Sequence, residues 1–62
     1  MNAVQILTSL GFTGSSVVND VKGKVTVKVW TTIGWCYEKF DKTRLEDEIT
    51  AWARKREPGV WR

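Results

Sequence analysis

Residues 24–30 alternate without a break: Val25, Val27 and Val29 stand between Lys24, Thr26, Lys28 and Trp30. A period of two is that of a β-strand, so the valines share one face and the other four residues share the opposite face. This pattern constrains the fold more than any other feature of the chain. A strand with one apolar face is stable only in a sheet whose apolar side is covered. The chain has 62 residues, which is one domain at most. Its core is therefore thin, and the cover must come from within the same short sequence.

Two segments have the spacing of amphipathic helices. In residues 2–10, Ala3, Ile6, Leu7 and Leu10 form an apolar stripe. Asn2 is placed to cap this helix with Gln5 as its capping-box partner, and Gly11 to end it in a left-handed conformation. In residues 43–56, Leu45, Ile49, Trp52 and Ala53 fall on one face. Thr43-Arg44-Leu45-Glu46 fits a capping box, with Asp41 a rival cap that would pair Phe40 and Leu45 in a hydrophobic staple. Glu46, Asp47 and Glu48 near the start, and Arg54, Lys55 and Arg56 in the last turn, match the helix dipole. Pro58-Gly59 stops the helix, and residues 57–62 form a tail.

Two more strands flank the alternating one. Val17, Val18 and Val21 favour a strand over residues 16–21. The competing reading is a short helix that would make a helix-turn-helix with the first, but residues 15–20 hold no basic side chain for a recognition helix. Lys22-Gly23 is a tight turn. After a turn at residues 31–34, a strand over residues 35–40 puts Trp35, Tyr37 and Lys39 on one face and Cys36, Glu38 and Phe40 on the other. Each face holds apolar or aromatic groups, so either can be the buried one. The expected fold is a single α+β domain over residues 1–62. It has a short N-terminal helix, a two- or three-stranded antiparallel β-meander and a C-terminal helix packed on the sheet. A homodimer would enlarge so small a core.

The inventory speaks against an enzyme. Histidine is absent and Cys36 is the one cysteine, which removes His-dependent triads, Cys/His zinc sites and an internal disulfide. There is no GxGxxG and no GxxxxGK[ST]. Glu46, Asp47 and Glu48 are consecutive on a helix and point apart, so they do not form a metal site. No cofactor or metal is expected. No apolar run approaches the roughly 20 residues of a membrane span, and no signal peptide is evident, so a cytoplasmic protein without a membrane partner is expected.

Charge and aromatics point to binding. Net charge is +3, with residues 1–21 at −1, residues 22–44 at +4 and residues 45–62 neutral. Four tryptophans are many for a thin core, since each carries up to about 250 Å² of surface. Trp52 belongs to the helix stripe, whereas Trp30 sits on the lysine face of its strand. Basic side chains interleaved with aromatics on a sheet hold nucleic acid by phosphate attraction and base stacking. The expected phosphate-binding and stacking residues are Lys24, Lys28, Trp30, Tyr37, Lys39, Arg54 and Arg56, with DNA or RNA as partner. The competing expectation is a protein-binding module or inhibitor using Trp30, Trp35 and Trp61. A chain of this size without catalytic groups also suits the small regulatory proteins that mobile genetic elements often encode.

The order helix, three strands, helix resembles the double-stranded-RNA-binding domain. That family places lysines at the start of its last helix to clamp phosphates. Here the same stretch reads Thr43-Arg44-Leu45-Glu46-Asp47-Glu48, mostly acidic. Its sites are therefore not carried over, and no family is assigned.

Overall fold

The computed structural model describes residues 2–59. Helix α1 is Ala3–Ser9; strands β1, β2 and β3 are Ser16–Val21, Lys24–Thr31 and Gly34–Asp41. A 3₁₀ turn, Lys42–Arg44, leads into helix α2, Leu45–Ala53. The strands form an antiparallel meander in the order β1-β2-β3. Both helices lie on one face of the sheet: α1 against β1 and β2, α2 against β3, and each against the other. This is the α+β architecture expected from the sequence, with all three strands present.

The hairpin turns set the register. Lys22 and Gly23 both have positive φ, at 55° and 74°, the pattern of a type I′ turn whose twist suits a two-residue hairpin. Val21 and Lys24 flank it as a pair. At the second hairpin, Thr31 faces Gly34. From that register the faces follow. Val25, Val27 and Val29 oppose Phe40, Glu38 and Cys36 on the helix side, and Thr26, Lys28 and Trp30 oppose Lys39, Tyr37 and Trp35 on the outward side. The ambiguous face of the third strand is thereby settled, and Phe40 supplies its core residue.

The core joins Ala3, Ile6, Leu7, Phe12, the three valines, Phe40 and Ile49. Phe12 lies 5.1 Å from Trp52 and Phe40 lies 6.1 Å from it, measured between ring centroids. Trp52 thus closes the core from α2, as its place in the apolar stripe implies. Phe12 gets there through the end of α1. Gly11 N donates to Thr8 O and Phe12 N to Leu7 O, at 3.0 and 2.9 Å, and Gly11 has φ 98°. These two bonds are a Schellman motif, in which the residue after the glycine packs back on the last turn. At the other end, Asn2 Oδ1 accepts from Gln5 N and Gln5 Oε1 accepts from Asn2 N, both at 2.9 Å, which completes the expected capping box.

Three expectations need correction. Leu10 does not join the buried stripe: it is the C-cap of α1 and is 40% exposed, because the chain has already begun to reverse. The capping box at Thr43 does not form. Asp41 Oδ1 instead accepts from Thr43 N at 2.9 Å and from the Thr43 hydroxyl at 2.7 Å, and α2 begins only at Leu45. Glu48 rather than Glu46 reaches back, accepting from Asp41 N at 2.8 Å. Nor do Arg54, Lys55 and Arg56 form the last turn of α2, which ends at Ala53. They follow it, held by tightened bonds from Lys55 N to Trp52 O and Arg56 N to Ala53 O.

Asp41 is consequently the N-cap of the 3₁₀ turn that leads into α2. The two hydrogen bonds from Thr43, and then the Lys24 ammonium, hold its carboxyl below the usual carboxylate range. A lowered folded-state value adds stability above the ordinary range, and that contribution is lost as pH falls through the lowered value. Asp41→Ala is expected to lower the melting temperature by a few degrees at pH 7. The gap to the parent should begin to narrow below about pH 4, where the unfolded-state carboxyl protonates, and narrow further as pH falls through the lowered folded-state value. Melting curves at pH 7 and pH 3 check both parts.

Candidate functional site

The site builds outward from β2. Because β2 is central, its outward residues Lys24, Thr26, Lys28 and Trp30 are flanked on both sides. β3 adds Asp41, Lys39, Tyr37 and Trp35 opposite them, and β1 adds Val21, Asn19 and Ser16. No helix covers this face, since both lie on the other. The span from Lys24 to Trp30 is about 20 Å at ~3.3 Å per strand residue.

At one end the aromatics gather. The rings of Trp30 and Trp35 are 5.0 Å apart and tilted by 58°. Lys28 Nζ sits 4.3 Å from the Trp35 ring centroid, a cation–π contact. Tyr37, directly opposite Lys28, is 61% exposed, and Trp35 is 43% exposed. Trp30 is half-buried between its sheet neighbours and the chain after α2. Gly59 N donates to Trp30 O at 3.2 Å, Thr32 N donates to Glu57 O at 3.1 Å, and Pro58 bridges Thr31. A Cβ at Gly59 would fall into the Trp30 indole and 2.9 Å from Thr31 O. Glycine is therefore required there by close approach. Gly59→Ala is expected to lift residues 57–59 off β2. The check is a red shift of tryptophan emission with the rest of the fold intact; an unchanged spectrum would mean that the indole yields instead.

At the other end lie the cations. Asn19, Val21, Lys22, Lys24, Thr26 and Lys39 line a shallow depression. Lys24 Nζ is 3.6 Å from Asp41 Oδ2, so its charge is partly matched. The other strand acids are turned away. Glu38 is on the helix side opposite Val27, and Asp20, opposite Val25, pairs with Lys42 at 3.1 Å. Among the described residues, the outward face therefore carries Lys24, Lys28 and Lys39, with Lys22 at its rim, against one carboxylate.

The expected site residues divide in two. Lys24, Lys28, Trp30, Tyr37 and Lys39 share this face. Arg54 and Arg56 do not: they follow α2 in the helical layer. Arg56 lies 6.0 Å from the Trp52 ring and donates from Nη1 to Lys55 O. Trp35, expected among the protein-contact residues, lies on the lysine face opposite Trp30. Lys22 was not singled out from sequence, although a type I′ turn at Lys22-Gly23 puts it beside Lys24. Trp61 lies outside the described residues. Among the described residues, no three His, Cys, Asp or Glu side chains come together as a metal site, and no helix is long and apolar enough to cross a membrane.

Compared with known proteins, the chain matches no family model, no curated protein and no solved structure.

Proposed function

We propose that this chain is a nucleic-acid-binding accessory or regulatory protein that holds single-stranded DNA or RNA on the outward sheet face. One observation carries the reading. Rings and lysines alternate on a single face that neither helix covers, while among the described residues the neighbouring acids point to the other side or are paired. Tyr37 offers a ring face for an unstacked base; Lys28, Lys39 and Lys24 meet phosphates. Trp30 packs beside Trp35, its neighbour across the strands. A single strand suits the face better than a duplex, because bases locked in a helix cannot reach a ring on a sheet. The proposed chemistry is binding.

A protein-binding or inhibitory module is the second reading. Ile33, at the β2–β3 tip beside Trp35, favours it: it is 79% exposed, and an aliphatic side chain has no use in base stacking.

The test is a tryptophan-fluorescence titration with single-stranded DNA, single-stranded RNA and duplex DNA, each at low and near-physiological salt. Salt-dependent quenching by the single strands, weaker with duplex, is the expected result. No response to any of the three from a folded sample would overturn the reading and favour a protein partner.

A further inference from the structure

The sheet has two edges, and they differ. The β1 edge is interrupted by a register shift between Val17 and Asn19, the kind of bulge that blunts strand pairing. Beyond Ser16 that side of β2 is taken up by residues 57–59. The β3 edge is eight residues long and pairs with β2 in an unbroken register.

Alternation fixes which backbone groups of β3 face outward. Trp30 O and Thr32 N bond residues 59 and 57, on the side of β2 away from β3. Thr31, Val29, Val27 and Val25 therefore bond β3, through Gly34, Cys36, Glu38 and Phe40. The N–H and C=O groups of Tyr37 and Lys39 point to the outer edge. Asp41 N also points there, but it is taken by the Glu48 carboxylate, which closes the edge at that end.

We infer that β3 pairs antiparallel with β3 of a second copy, with Tyr37 on the twofold axis. Side chains opposed across such an axis share a sheet face, so only a few registers are possible. Centring on Glu38 sets two half-buried carboxylates against each other, and centring on Lys39 sets two ammonium groups against each other; both are destabilising. Centring on Cys36 runs the pairing into the Thr32–Ile33 turn and leaves Lys39 without a counterpart. Centring on Tyr37 opposes like charges nowhere. It places Lys39 of each copy opposite Trp35 of the other, a cation–aromatic pair formed twice. The two sheets become one of six strands with a continuous outward face. The pairing does not depend on what that face binds.

Sedimentation equilibrium across a concentration series tests the state. The expected mass is twice the 7.1 kDa of the chain at high concentration. Proline at position 39 spares the bonds to β2, because the Lys39 N–H faces the edge. Lys39→Pro is therefore expected to weaken dimerisation by at least about tenfold while circular dichroism stays that of the parent. Cross-linking tests the register and does not depend on how well the proline variant folds. In a Cys36→Ser background, Tyr37→Cys is expected to form an interchain disulfide under mild oxidation. Opposed residues of a hydrogen-bonded pair have Cα atoms about 5.5 Å apart, within disulfide range. Glu38→Cys in the same background should not cross-link. A parent that stays at 7.1 kDa throughout, or a Tyr37→Cys variant that resists oxidation, would overturn the inference.

Discussion

Phe12→Ala is expected to leave the chain mostly unfolded at physiological temperature. Phe12 is 2% exposed and joins the end of α1 to Trp52 on α2, so its ring ties the two helices over the sheet. Truncating a buried phenylalanine costs about 3–5 kcal/mol. A chain of this length has a total stability of only about 3–9 kcal/mol, at ~0.05–0.15 kcal/mol per residue. The loss is therefore from about a third to all of what the fold has, and about two thirds at the middle of both ranges. Val18→Ala is the control: Val18 is on the β1 edge and 54% exposed, so its change should stay within about 0.5 kcal/mol. Denaturant unfolding of both variants decides the matter. A Phe12 variant that melts close to the parent would mean that the helices are not locked through this ring.

The second large effect concerns binding. Lys28→Ala with Lys39→Ala removes two cations from the outward face. For single strands each lost phosphate contact flattens the slope of log affinity against log salt by about 0.7, so the pair should flatten it by about 1.4. Tyr37→Ala removes a ring on which a base stacks, worth about 1–3 kcal/mol or roughly 5–150-fold in affinity, with the salt slope unchanged. The two variants thus separate attraction from stacking. Arg54→Ala, in the helical layer, should change neither quantity. Titrations at several salt concentrations read all three, and equal slopes for the parent and the double lysine variant would remove those lysines from the site.

Much of this fold is legible in the sequence because its signals are local. The valine alternation, the Asn2–Gln5 capping box, Gly11 after the first helix and the Lys22-Gly23 turn each act within a few residues, and each forms as expected. What was not legible depended on residues distant in the chain. The buried face of β3 is decided by register with β2 and by α2 packing on Phe40, neither of which the ambiguous run Trp35–Phe40 encodes by itself. Asp41 caps the 3₁₀ turn where the chain leaves β3, and that turn displaces Thr43 from the capping position of α2, which falls to Arg44 with no side-chain cap bond. The candidate site shows the same division. Lys24, Lys28 and Trp30 could be grouped from one strand's period. That Tyr37 and Lys39 join them, and that Arg54 and Arg56 do not, follows only from sheet pairing and from the side on which α2 lies.

Mapping backbone-amide and indole shifts by NMR decides whether the outward sheet face is the binding surface. A labelled sample would be titrated with a short single-stranded oligonucleotide. The expected shifts cluster on Lys24, Lys28, Trp35, Tyr37 and Lys39, with α2 and residues 54–56 unmoved. Shifts centred on Arg54 and Arg56, or none at a saturating excess of oligonucleotide, would contradict it.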